Sequence, residues 1–191
     1  KEAVGSQDQI ITSFGGFNHI KFFRDQTYEI NSLKLDFEQK NNLLDHLMLF
    51  YTGTQRYAIN IESDKIKNIK KNNEYLKNIS IIKDEALELL TKKELNFLKI
   101  GNLLNKSWQQ KKLLSIKVSL PFIDEAYETA IKNGAYGGKL LGAGGGGFLL
   151  FIVPPSRKKK VRKVLKDLLE IVFNFENEGS KIIFNSNNNG Y

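Results

Sequence analysis

The sequence contains no cysteine, only two histidines, and no apolar run near the ~20 residues that a bilayer-spanning helix requires. The missing cysteine removes disulfides, thiolate zinc sites and cysteine nucleophiles, so any chemistry falls to carboxylates, hydroxyls, amines and backbone groups. His19 and His46 sit in strand-like runs with no metal-ligand partners close by, and both read as structural. The opening KEAVGSQDQ lacks the basic-then-apolar pattern of a signal peptide. A cytoplasmic setting with no membrane partner is the expectation. The first residue is Lys1, within a polar stretch, and a fragment or processed product is therefore expected.

What is present is the composition of a globular protein. At 191 residues, 41% hydrophobic and 26% charged, the chain can bury one good core or two small ones. A net charge of +8 and a pI near 9.4 suit an anionic partner, either nucleic acid or a phosphorylated metabolite. Location separates the two. The basic residues cluster between Arg157 and Lys166, where Val161, Val164, Leu165, Leu168 and Leu169 recur at helical spacing and no aromatics interleave. That is the solvated face of an amphipathic helix, and no nucleic-acid partner is expected.

Residues 10–35 alternate in short apolar and polar steps and read as a β-hairpin region. Leu43–Tyr51 reads as a buried strand, with helix as the competing assignment. From Gln55 to Lys117 the pattern predicts two or three helices. Ser119 is placed to cap a helix whose stripe is Ile123, Ala126, Tyr127, Ala130 and Ile131, with Gly134 at its end. FLLFIVPP reads as a central strand stopped by Pro154 and Pro155, Ser156 as the cap of the basic helix, and 171–175 and 181–184 as two further strands. This order does not alternate as a doubly wound sheet would. It predicts an α+β fold with helices packed on one face of a mainly antiparallel sheet.

The most informative segment is GAYGGKLLGAGGGG, residues 134–147, which holds more than half of the chain's 15 glycines. Glycine admits positive φ and close backbone approach at an entropic cost, and successive N–H groups in such a loop can form an anion-binding nest. Gly142, Gly144 and Gly147 satisfy G-x-G-x-x-G, but a dinucleotide fingerprint needs a strand before and a helix after; here a helix is expected before and a strand after. A Walker loop fails because Lys139 lacks the upstream glycine and the following Ser or Thr.

KLLGAGGGGFLLFIVPP resembles the third conserved motif of the GHMP kinase superfamily. GSQDQ at 5–9, FGGFN at 14–18, YTG at 51–53, SWQQKKLLS at 107–115 and GSKIIF at 179–184 are similar, in order and spacing, to its heptose 7-phosphate kinase branch. The resemblance implies that residues 1–40 end a truncated N-terminal nucleotide-binding domain and that 41–191 are the C-terminal domain. It implies ATP and Mg²⁺ as cofactors, a small-molecule sugar phosphate as substrate, and phosphoryl transfer to an anomeric hydroxyl. The superfamily's first two motifs, with the main ATP loop, are expected upstream of Lys1, so the isolated chain is expected to be inactive. A fucose or galactose kinase, or a non-enzymatic basic binding domain, are the alternatives.

By the same resemblance Asp8 occupies the position of an active-site aspartate that accepts the proton of the sugar hydroxyl. Gly142, Gly144, Gly145, Gly146 and Gly147 would offer backbone donors to the substrate or the transferring phosphoryl group. Arg56, Lys111 and Lys112 are candidates for the phosphate that the sugar already carries. Trp108 reads as a core anchor.

Overall fold

The computed structural model describes residues 5–54, 58–68 and 71–184. Its described residues divide into two compact units, one of residues 35–173 and the other of 5–34 with 174–184.

The smaller unit begins with helix α1 (Gln7–Phe14), followed by strands β1 (Asn18–Phe22) and β2 (Tyr28–Ser32). The strands pair antiparallel from Asn18↔Ser32 to Phe22↔Tyr28. Asp25 organises their turn by accepting from the Thr27 N–H and hydroxyl at 3.0 and 2.7 Å, bonds that hold its carboxyl below the usual range. The expected hairpin therefore occupies 18–32, and residues 10–14 are helix instead. Ile10, Ile11 and Phe14 share a helical stripe, and Gly15 at φ +65° ends it, its N–H donating to Ile11 O at 2.7 Å. The returning segment meets this unit through Gly16 N–H to Glu176 O, Ser180 N–H to Thr12 O, and the Phe17 and Phe175 rings.

The larger unit contains α2 (Phe37–His46), β3 (Leu47–Tyr51), α3 (Ala58–Lys67), α4 (Asn73–Leu90), α5 (Phe97–Lys112), α6 (Pro121–Lys132), β4 (Gly137–Leu140), β5 (Phe148–Ile152), α7 (Pro155–Val164) and β6 (Leu169–Ile171). The sheet order is β4-β5-β3-β6 and every pairing is antiparallel. FLLFI is thus an inner strand, as its apolar run predicts. The run Leu43–Tyr51 divides at His46: a capping box between Asp36 and Gln39 starts α2, and its last turn uses Leu43–His46 before the strand begins. His46 stacks on Phe97 with ring centroids 3.7 Å apart.

One face of the sheet carries the core. Met48 pairs with Phe151 and Phe50 with Leu149, so these four side chains share a face. Trp108 of α5, Ile123, Tyr127 and Ala130 of α6, and Val161 of α7 pack in the same buried cluster. The fold is α+β with helices on an antiparallel sheet, and the stripe read in α6 is its buried face. Two caps differ from expectation. Ser119 and Ser156 are not N-caps; Leu120 and Pro154 are, because Pro121 and Pro155 sit at the first helical position, where proline's fixed φ starts a helix.

The glycine segment itself contains strand β4, so the glycines from Gly142 onward follow a strand and not, as expected, a helix. Gly137 and Gly138 hide that strand, since glycine carries no β preference, yet the contact requires one of them. A Cβ at Gly137 would lie 1.8 Å from Gly101 O, so α5 crosses β4 backbone to backbone. The two C-terminal strands read from sequence reduce to β6, which pairs with β3. Residues 172–184 belong to no strand.

Candidate functional site

The loop 141–147 joins β4 to β5 as the end of a hairpin, opened by the Leu141 N–H to Phe148 O bond at 2.8 Å. Gly142, Gly144, Gly145, Gly146 and Gly147 all have positive φ, from +70° to +159°. Only glycine adopts this succession without strain.

Three other segments fix the loop. Thr52, buried beside the end of β3, donates its N–H to Gly147 O at 2.9 Å, and its hydroxyl lies 3.0 Å from both the N–H and the carbonyl of Gly147. The Gly147 N–H also reaches Thr54 O at 3.1 Å. The turn after α5 accepts the Gly145 N–H on Val118 O at 2.8 Å. The loop carbonyls face ammonium groups: Lys111 Nζ donates to Leu140 O at 3.1 Å and to Gly142 O, and Lys65 Nζ donates to Ala143 O at 2.7 Å.

The amides of Gly145 and Gly147 are thus engaged inside the protein. Those of Gly142, Gly144 and Gly146 have no acceptor among the described residues. Between Leu141 and Phe148, only the Gly145 and Gly147 N–H groups have an acceptor among the described residues. With two lysines at its carbonyls, the loop presents donors and positive charge without a carboxylate bonded to it among the described residues, which is the chemistry of an anion-binding nest.

Lys112, the other candidate of SWQQKK, pairs with Asp124 Oδ1 at 3.1 Å, an atom that also accepts from Ser119. Both lysine heads lie about 6 Å from the Trp108 ring centroid, at 6.0 and 5.8 Å. Lys139, in β4, is half-buried, and burial pushes its pKa down. Asp8 is exposed in the first turn of α1, in the smaller unit, where a carboxylate also suits the positive end of the helix. Arg56 lies outside the described residues. Among the described residues no group of three or more His, Cys, Asp or Glu could hold a metal ion.

Sequence reasoning did not single out Lys65, nor Asp64 beside it, whose carboxylate accepts from Ser115 Oγ at 2.5 Å and lies 3.5 Å from Lys117 Nζ. Thr52 stood within the YTG stretch without an assigned role.

A helix-backed antiparallel sheet bearing this loop has the fold of a GHMP kinase C-terminal domain: residues 86–171 match the family model described as GHMP kinases C terminal. Among individual relatives, the chain is 35% identical over 143 residues to the D-glycero-alpha-D-manno-heptose 7-phosphate kinase of Campylobacter jejuni, a match covering 73% of this chain and 41% of that protein. Two crystal structures extend the likeness. A candidate sugar kinase from Campylobacter jejuni superposes with a TM-score of 0.60 at 32% identity, covering 92% of this chain and 50% of the other. A D-glycero-D-manno-heptose 1-phosphate kinase from Bacteroides thetaiotaomicron gives a TM-score of 0.57 at 25% identity, covering 95% and 50%. The chain therefore spans about half the length of these relatives, or less.

Proposed function

We propose that this chain is the C-terminal part of an ATP-dependent sugar kinase that transfers the γ-phosphoryl group to the anomeric hydroxyl of a heptose 7-phosphate, for nucleotide-activated heptose synthesis. The observation that carries this reading is the glycine loop, whose free amides and flanking lysines suit a phosphoryl group, in a chain resembling a heptose 7-phosphate kinase at 35% identity. Residues 1–40 would complete an N-terminal nucleotide domain and 41–191 form the C-terminal one.

Gly142, Gly144 and Gly146 would donate to phosphoryl or substrate oxygens, while Gly145 and Gly147 hold the loop in shape. Lys111 adds positive charge beside Gly142. Arg56 and Lys112 remain candidates for the sugar's own phosphate, Lys112 only by leaving Asp124. Asp8 would accept the hydroxyl proton as the anomeric oxygen bonds the γ-phosphorus and the bond from that phosphorus to the ADP oxygen breaks, giving a heptose 1,7-bisphosphate and ADP. Mg²⁺ would arrive with ATP and screen its phosphates. The described residues form no cluster of His, Cys, Asp or Glu suited to hold it.

The test is ³¹P NMR of the intact gene product with ATP and heptose 7-phosphate. A new phosphate ester at the anomeric carbon is expected, lost on Asp8→Asn through a fall in kcat of ~10² or more with little change in sugar KM. Turnover of galactose or fucose instead would move the reading to another sugar kinase. The 191-residue chain alone is expected to show negligible turnover.

A further inference from the structure

We propose that Lys65 is the positioning residue of the glycine loop: by holding the Ala143 carbonyl it aims the Gly144 N–H, the donor that a bound phosphoryl oxygen would meet. The inference rests on the reading of the loop as a phosphoryl-binding element.

Ala143 C=O and Gly144 N–H belong to one rigid trans unit and point in opposite directions, and the described chain contains no cis peptide. Lys65 Nζ donates to Ala143 O at 2.7 Å, so the ammonium on one side of the plane fixes the N–H on the other. The next plane is held independently, for the Gly145 N–H donates to Val118 O at 2.8 Å. Gly144 is therefore gripped through both of its peptide planes, by two different segments.

Gly144 is also a buried residue whose N–H has no acceptor among the described residues. An N–H fixed through its peptide plane and without an acceptor among the described residues is a donor available to a bound oxygen. No side chain can substitute there: a Cβ would lie 2.8 Å from Val118 O, and φ is +119°. An ammonium donor raises the effect beyond geometry, because it draws electron density along the amide and leaves a positive charge one peptide unit from the donor.

Lys65 is itself held in place through its neighbour. Asp64 accepts from Ser115 Oγ at 2.5 Å, and Ser115 O accepts from the N–H of Val118, the residue that grips Gly145. Helix α3 thus reaches the loop directly through Lys65 and indirectly through Asp64. These two routes can be cut separately.

The experiment uses the ¹⁵N-labelled chain, inorganic phosphate as probe, and the variants Lys65→Met, Lys65→Arg and Ser115→Ala. In Lys65→Met without phosphate, the Gly144 amide resonance is expected to move more than those of Gly142 and Gly146. Phosphate Kd should rise ~10-fold with an unchanged melting temperature, and Lys65→Arg should restore it. Wild-type Gly144 shifts and Kd in Lys65→Met would overturn the positioning role, as would an equal effect from Ser115→Ala, which would reduce Lys65 to general support by α3. If phosphate moves none of the three glycine amides in the wild type, the phosphoryl reading of the loop fails and the proposal with it.

Discussion

Thr52 and Gly147 bond reciprocally across 95 residues of sequence: the Thr52 N–H donates to Gly147 O, and the Thr52 hydroxyl lies 3.0 Å from the Gly147 N–H. β3 and the start of β5 are thereby locked where the loop ends. Thr52→Val keeps the shape and removes the hydroxyl, and should cost about 1–3 kcal/mol in chemical denaturation because buried partners lose a bond. Thr52→Ser should recover most of it. Equal losses in the two variants would show that the methyl group matters instead.

The loop glycines should differ among themselves. At Gly142 an added Cβ meets nothing within 4 Å, so Gly142→Ala bears only the cost of φ +70°, about 1–2 kcal/mol. At Gly146 the Cβ would lie 2.5 Å from Thr54 O, which adds a steric cost of ~1–3 kcal/mol to the backbone strain. Thermal melting should therefore rank wild type above Gly142→Ala and Gly142→Ala above Gly146→Ala. The reverse order would mean that the chain at Thr54 yields readily.

The end of the loop, where it enters FLLFI, was legible in the sequence, but its start and its anchors were not. Eight glycines before an apolar run announce positive φ, and the Ile123–Tyr127–Ala130 stripe announces a buried helix face; both signals are local. Val118 O and Thr54 O act through backbone carbonyls, which every residue possesses, so no residue type betrays them. Lys65 lies 78 positions from Ala143 and differs in no local respect from other helical lysines. β4 was missed for a related reason: the close crossing of Gly101 and Gly137 selects against the β-branched residues that mark strands.

Trp108 is fully buried, yet its Nε1–H has no acceptor among the described residues. Trp108→Ala should cost about 3–5 kcal/mol through lost burial and the cavity left behind. Trp108→Phe should cost distinctly less than volume alone suggests, since it also removes an unsatisfied buried donor. Urea denaturation of both variants decides: a Phe variant as unstable as the Ala variant would indicate that the indole N–H does find a partner.

Tyr127 joins α6 to α5 and β4, its hydroxyl bonding Asn105 Oδ1 at 2.8 Å and Gly138 O at 3.2 Å. Burial pushes its pKa up to about 12, since the phenolate would be desolvated among Trp108 and Phe151. The unfolded chain loses this proton near pH 10, whereas the folded protein keeps it until about 12. Between those values the folded state binds more protons than the unfolded state, so stability falls as pH rises. The slope is about 1.4 kcal/mol per pH unit from this group, and below pH 10 its contribution is complete. Tyr127→Phe removes the titration and should flatten that part of the profile, while lowering stability at pH 8 by about 1 kcal/mol for the lost hydrogen bonds. Denaturation of both proteins at pH 8, 10 and 11 measures the difference. Parallel profiles would show that Tyr127 ionises as freely in the folded protein as in the unfolded chain.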